Sequence, residues 1–176
     1  MFKSDFTFVH KYFLGEKQAT MIFMIVGCVA IILSVIFYFV VKSNPSFFKG
    51  AAIPLFIIGL LIAIAGFVVY QRTDTQRLDV SYNMGLSLKG YTANRELPRM
   101  KNVMRNFVVY RYIQIACILI GIGLFIYFRN NTQQVFWKGF GLTLAIMALV
   151  TFVGDYNASV RGTHYTKQLE EITLKN

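Results

Sequence analysis

The sequence has few of the residues that usually carry chemistry. Its 176 residues include 8 acidic residues, 2 histidines and 2 cysteines. Cys28 and Cys117 lie in separate apolar runs, which excludes a CxxC redox motif and a cysteine metal cluster. The sequence contains no carboxylate pair facing a cleft, no nucleophile with a nearby histidine and no glycine-rich phosphate loop. We therefore expect no catalytic, cofactor-binding or metal-binding residues, and a protein that is not an enzyme.

Charged residues are also missing from four long stretches. Hydrophobic residues make up 56% of the chain and aromatic residues 16%, more than a soluble domain of this length can bury. Uncharged or nearly uncharged runs cover 18–41, 50–71, 107–128 and 135–160. About 20 helical residues cross the hydrocarbon core of a bilayer. The pattern predicts an all-α membrane protein with a bundle of four transmembrane helices.

The basic residues predict the orientation of this bundle. Of the 18 Lys and Arg residues, 14 fall in the terminal and central segments and 4 in the two hairpin loops. Because positive residues favour the cytoplasmic side, we expect both termini to be cytoplasmic and the membrane to be a bacterial inner membrane. The positive charges flank apolar spans, so they indicate contact with anionic lipid headgroups and not with nucleic acid.

Five segments follow from these runs. We expect an interfacial amphipathic helix (1–18), a first transmembrane hairpin (19–71) and a cytoplasmic helical connector (72–106). A second transmembrane hairpin (107–160) and a cytoplasmic tail (161–176) complete the chain. The apolar stripe of the first segment has helical spacing, as does the stripe before the third span. The first stripe is Phe2, Phe6, Val9 and Phe13, and the second is Leu97, Met100, Met104 and Phe107.

An internal repeat relates the two halves at an offset of 89 residues. YFVVKSNPSFFKG (38–50) aligns without gaps with YFRNNTQQVFWKG (127–139). At the same offset, Cys28 corresponds to Cys117 and Arg72 to Arg161. Each half contains two spans, so the halves keep the same orientation. The pattern predicts two tandem, parallel two-helix repeats related by an axis along the membrane normal.

Three polar residues near the inner boundary form a candidate clasp. Arg111 and Gln114 belong to the third span, and Asp155 lies at similar depth in the fourth. Ionisable groups at this depth must pair or reach the interface, so we expect an Arg111–Asp155 ion pair with Gln114 one turn deeper. A structural clasp is the favoured interpretation, and a proton or ion relay is the alternative.

Small residues recur at helical spacing and predict close contacts between helices. Lipid tails give no hydrophobic drive for helix association, so membrane helices pack through small residues. We expect the set to serve packing within the chain or a docking face for another membrane subunit. The candidate residues are Gly59, Ala63, Gly66, Gly121, Gly141 and Ala145.

The function expected by elimination is a non-enzymatic membrane interaction protein. It would be an accessory subunit of a membrane complex or an immunity-type protein that binds a membrane-acting toxin. The alternative is a small homo-oligomeric channel or transporter whose polar path forms by self-association, between protomers. A membrane enzyme acting on lipid ranks third. A smooth apolar groove would favour partner binding, and polar residues converging between subunits would favour the channel.

Overall fold

The chain is all-helical in the computed structural model, which describes residues 6–174. Helix α1 covers Thr7–Val35 and continues as a π-helical turn, Ile36–Val40. Helix α2 covers Pro45–Leu86, and the short α3 covers Leu88–Tyr91. A second π-helical turn, Thr92–Glu96, leads into α4, Leu97–Tyr127. Helix α5 covers Val135–Leu174.

Four helices are long and apolar enough to cross a membrane, as the sequence predicts. They are Thr7–Val40, Pro45–Leu86, Leu88–Tyr127 and Val135–Leu174. Two short turns, at 41–44 and 128–134, join the helices of each hairpin, and we call the end of the molecule that carries them the loop side. The opposite end, which carries both ends of the described chain, is the terminal side.

Local chemistry accounts for the two turns on the loop side. Asn44 has a φ of 46°, a left-handed conformation that Asn tolerates better than most residues, and Pro45 then begins α2. In the second turn, the side-chain oxygen Oδ1 of Asn131 accepts hydrogen bonds from the backbone nitrogens of Gln133 and Gln134, at 2.9 and 3.2 Å. This side chain folds the backbone into the start of α5.

The helices form an open bundle. Helix α2 packs along both α1 and α5, and α1 also touches α5. Among the long helices described, α4 packs extensively only against α5. One side of α4 therefore faces the α1–α2 hairpin without packing closely on it.

The best-packed part of the molecule lies outside the apolar runs. We call residues 7–17, 72–106 and 161–174 the crown, and residues 18–71 and 107–160 the apolar bundle. The ring of Tyr12 stacks on that of Tyr165, with centroids 4.2 Å apart and planes 5° from parallel. The buried core of the crown consists of Val9, Phe13, Val80, Met84, Met100, Tyr165 and Leu169.

The amino-terminal segment differs from the expected interfacial helix. Helix α1 runs without a break past residue 18, so the boundary between the first two segments is not a structural one. Val9 and Phe13 of the predicted stripe are fully buried in the crown core, because α2 and α5 extend beyond their spans and cover them. This corrects the expected contact with lipid headgroups at these two positions. Phe2 lies outside the described residues.

Candidate functional site

The open side of the bundle contains a cleft of about 640 Å³. All four long helices contribute to its lining, which is mainly apolar. Helices α1 and α2 form one wall, α4 forms the opposite wall, and α5 closes the back, as expected from the packing of these helices. We call this space the cleft. Its volume lies within the range of about 300–1,000 Å³ that is usual for small-molecule sites.

Polar and charged side chains line the terminal end of the cleft. Glu16 of α1, Arg72 of α2 and Arg161 of α5 lie there, with Asn106 and Tyr110 on α4. Arg72 and Arg161 are the first residues after the second and fourth apolar runs. We call this end of the cleft the mouth.

The Glu16 carboxyl group is unusual because it is largely enclosed. Glu16 precedes the first uncharged run, and burial raises its pKa, while the charges of Arg99, Arg72 and Arg161 oppose the rise. Its Oε2 atom is buried and has no hydrogen-bond partner among the described residues. Burial disfavours the charged form of a carboxyl group, so Glu16 is easier to protonate than an exposed glutamate.

Two of the three residues of the predicted polar clasp are paired in the structure, and the third contacts a different residue. Gln114 Nε2 donates a hydrogen bond to Asp155 Oδ2 at 2.5 Å, and Arg111 Nη2 donates to Ser159 Oγ at 3.3 Å. Among residues 6–174 there is no ion pair between Arg111 and Asp155. The expected ion pair is therefore wrong.

The antiparallel register of α4 and α5 explains this correction. Moving three residues back along α4, from Gln114 to Arg111, corresponds to moving four residues forward along α5, from Asp155 to Ser159. Arg111 thus meets the residue one turn beyond Asp155. The other amide atom of Gln114, Oε1, is buried without a hydrogen-bond partner among the described residues. Both Gln114 and Asp155 line the cleft.

The six predicted small residues lie in contacts within the chain. A Cβ atom added to Gly59 would lie 2.9 Å from Ala30 Cβ, and one added to Gly66 would lie 2.9 Å from Thr20 O, both on α1. The Ala63 Cβ atom would lie 2.8 Å from a Cβ added to Gly27 of α1.

The remaining three small residues join α4 to α5. A Cβ atom added to Gly121 would lie 2.6 Å from Gly141 O and 2.9 Å from Ala145 Cβ. The two sets thus allow close backbone approach within each hairpin, so these residues do not form a free docking face.

Sequence reasoning missed a buried network in the crown. Glu96, which is 1% exposed, accepts two hydrogen bonds from Arg99, at 2.7 and 2.8 Å. The Tyr165 hydroxyl donates to Glu96 Oε1 at 2.9 Å. The three-residue spacing of Glu96 and Arg99 is a readable signal for a helical ion pair. Nothing in the sequence indicates that Tyr165, 69 residues further on, would join it.

The surroundings of Tyr165 change its acidity. Tyr165 lies beyond the fourth apolar run, and burial raises its pKa, as do the nearby Glu96 charge and the hydrogen bond to it. The phenol therefore stays protonated and remains a hydrogen-bond donor to Glu96. Such a fully satisfied buried network fixes the relative positions of the helices that contribute to it.

Within residues 6–174, no group of three or more His, Cys, Asp or Glu side chains is arranged to hold a metal ion. No protein-family model, curated protein or solved structure matches this chain. The functional interpretation therefore depends on the cleft and the residues that line it.

Proposed function

We propose that this chain is a non-enzymatic integral membrane interaction protein that holds another component of the bilayer in the cleft. The observation that carries the proposal is the cleft itself, a mainly apolar space of about 640 Å³ between α4 and the α1–α2 hairpin. Helix α4 packs extensively only on α5, which leaves this side of the bundle open. The open side offers apolar walls and a polar mouth to a bound component.

The bound component could be a protein. This chain would then be an accessory subunit of a membrane complex or an immunity-type protein that binds a membrane-acting toxin. A transmembrane helix is about 30 Å long and about 10 Å wide, which is much larger than the cleft. A partner helix would therefore lie along α4 and insert side chains into the cleft. The α4 residues that such a helix would contact include Tyr110 and Ile113, which line the cleft and are 49% and 54% exposed.

The proposed location is a bacterial inner membrane with the terminal side in the cytoplasm. The support is the distribution of basic residues along the sequence, with 14 of 18 in the terminal and central segments. In this orientation, the crown and the mouth of the cleft lie next to the anionic headgroups of the inner leaflet.

We also propose that the fold arose by tandem duplication. A reciprocal contact between α2 and α5 supports it: a Cβ on Gly50 would collide with the Phe136 carbonyl oxygen, and one on Gly139 with the Phe47 carbonyl oxygen. Gly50 and Phe47 each lie 89 residues before Gly139 and Phe136. A contact of this kind is what a two-fold axis between α2 and α5 requires.

The aromatic pairs on the loop side give further support. Phe47 and Phe48 meet edge to face at 5.4 Å, and their counterparts Phe136 and Trp137 do so at 5.5 Å. These two edge-to-face pairs also lie 89 residues apart, as the duplication requires.

The alternative function is a homo-oligomeric channel or transporter. The observation that favours it is the Gln114–Asp155 pair, which brings a carboxyl group and an unpartnered amide oxygen to the wall of the cleft. On the loop side, however, the backbones of α2 and α5 touch at Gly50 and Gly139. A polar path would therefore need a second protomer beside α4.

Purification of the tagged full chain from native membranes in mild detergent tests the proposal. Native mass spectrometry would measure the assembly, and sequencing and lipid analysis would identify what accompanies it. A stoichiometric foreign protein or lipid is the expected result. A homo-oligomer with no bound component, together with ion or solute flux in liposomes, would overturn the proposal in favour of the channel or transporter.

A further inference from the structure

The mouth of the cleft holds two arginines, Arg72 and Arg161, whose charges act on the Glu16 carboxyl group without forming an ion pair with it. Neither Arg72 nor Arg161 forms an ion pair or a hydrogen bond with any of residues 6–174. By contrast, Arg99 is bound by Glu96, Arg77 pairs with Asp74, and Arg111 donates to Ser159. Two guanidinium groups at one opening form a natural site for an anion with several oxygen atoms, such as a phosphate group.

The other polar groups at the mouth are compatible with an anion. Asn106 and Tyr110 are four residues apart on α4, on the same face of the helix, and both line the cleft opposite α1 and α2. Their amide and hydroxyl groups can donate hydrogen bonds. Glu16 carries the opposing charge at the mouth, and burial raises the pKa of its carboxyl group while the charges of Arg99, Arg72 and Arg161 lower it.

Beyond the mouth, the cleft is suited to an apolar chain. Ile58 and Ile62 of α2, Phe23 of α1 and Ile113 of α4 line it. Ile58 lies 14 residues from Arg72 along α2, about 21 Å at the helical rise. A ligand with its charge at Arg72 and an extended chain could therefore reach deep into the apolar bundle.

From this arrangement we infer that the cleft binds an anionic lipid by one acyl chain, with the phosphate group of the lipid held by Arg72 and Arg161. The acyl chain lies between α4 and the α1–α2 hairpin. The buried Oε1 atom of Gln114 lies one helical turn beyond Tyr110, further from the mouth. It accepts a hydrogen bond from a hydroxyl group of the lipid backbone. Charge complementarity at the mouth and the volume of the cleft both favour this occupant over a partner helix. The inference depends on the proposed binding function of the cleft.

Binding of defined amphiphiles to the purified full chain tests the inference. The protein in neutral detergent would be titrated with a single-chain lysophosphatidylglycerol and with a monoacylglycerol of the same chain length, and the bound fraction read by native mass spectrometry. We expect saturable one-to-one binding of the phospholipid and at least tenfold weaker binding of the uncharged amphiphile, since charge-assisted hydrogen bonds are lost. Equal binding of both would overturn the role of the arginines.

Arginine variants test where the phosphate group of the ligand binds. Arg72→Gln and Arg161→Gln should each weaken phospholipid binding about tenfold, while Arg105→Gln, an exposed arginine outside the cleft, should have no effect. Arg161→Lys keeps the charge and the aliphatic part of the side chain that packs on Gly15. It is therefore a control for loss of binding caused by misfolding. It should bind more weakly than the wild type and more tightly than Arg161→Gln. Wild-type affinity in both glutamine variants would contradict the inference.

A matched pair of variants tests the part of the cleft that holds the acyl chain. Ala65→Phe places a ring in the cleft and should reduce phospholipid binding, whereas Ile64→Phe, on the adjacent exposed face, should not. Inorganic phosphate added at the same concentration should not compete. Equal competition by inorganic phosphate would show a free-anion site and overturn the acyl-chain part of the inference.

Failure of this inference can be told apart from failure of the proposed function. Suppose that a foreign protein co-purifies stoichiometrically with the wild type and with the Arg72→Gln and Arg161→Gln variants, and that the chain does not prefer the phospholipid to the uncharged amphiphile. This result would support the proposed function and overturn the lipid assignment. Flux in liposomes with neither a protein nor a lipid bound would overturn both.

Discussion

The crown and the apolar bundle of this molecule are packed by different means. In the crown, large side chains are almost completely enclosed: Phe13, Met100 and Leu169 are each 0% exposed. In the apolar bundle, the buried cluster is small and consists of Ala30, Leu55 and Met147. There the closest contacts are between backbones, at glycines.

The surrounding medium explains this difference. Water drives apolar side chains of the crown together, so a conventional core forms. Lipid tails exert no such force, and helices associate through close backbone approach and a few polar pairs. The crown therefore positions the ends of the spans, while α4 can remain apart from α1 and α2 and leave the cleft open.

The largest expected effect comes from removing a crown side chain. Tyr165→Ala should lower the free energy of unfolding by about 3–5 kcal/mol, because it empties the centre of the core and removes a donor from Glu96. Tyr82→Ala is the control, since Tyr82 is exposed in the same region. Reversible unfolding in mixed micelles, followed by circular dichroism, would measure both. Equal effects of the two changes would mean that the crown core does not stabilise the fold.

A smaller loss is expected where helices meet in the apolar bundle. A Cβ atom on Gly141 would lie 2.6 Å from Gly121 O, so Gly141→Val should cost about 1–3 kcal/mol by forcing α4 from α5. Gly123, two residues after Gly121, has open space around it, and Gly123→Val should be nearly neutral. The same unfolding assay applies. If Gly141→Val were equally neutral, backbone contact would not be the means by which the bundle is packed.

Tyr165→Phe separates the hydrogen bond from the packing of the same ring. The change keeps the stack on Tyr12 and removes the donor to Glu96, which Arg99 still neutralises. We expect a loss of about 1.5 kcal/mol, the low end for a hydrogen bond to a charged group. A loss as large as that of Tyr165→Ala would instead assign the stability to the polar network.

The smallest expected effect concerns the polar clasp. A double-mutant cycle of Gln114→Ala and Asp155→Ala should give a coupling energy of about 0.6 kcal/mol, typical of hydrogen bonds between membrane helices. The cycle of Arg111→Ala with Asp155→Ala should give a coupling near zero. The reverse order of the two couplings would restore the ion pair that the sequence suggested.

Much of the fold could be predicted from the sequence, because length and hydropathy alone define a membrane span. The long spans and the helical spacing of Val9, Phe13 and Met100 follow from such local patterns. The register between helices does not follow from local patterns. Because of this register, Asp155 pairs with Gln114 and not with Arg111. The residues between Gln114 and Asp155 in the sequence do not indicate how far α4 is shifted along α5.

The cleft could not be predicted for the same reason. Arg72 and Arg161 were visible as repeat partners, but their shared opening depends on how α2 and α5 pack. Similarly, Tyr165 reaches Glu96 only because α5 extends beyond its span into the crown. These features depend on contacts between residues far apart in the chain, for which composition and periodicity carry no information.

Accessibility to a water-soluble maleimide would test the contrast between an open cleft and a closed crown most directly. In a chain with Cys28→Ser and Cys117→Ser, purified in neutral detergent without added lipid, Ala158→Cys reports on the cleft and Val80→Cys on the crown core. An open cleft predicts rapid labelling at position 158, slowed by added lysophosphatidylglycerol, and almost none at position 80. Protection at position 158 without added lysophosphatidylglycerol, or labelling at position 80 as fast as at 158, would contradict it.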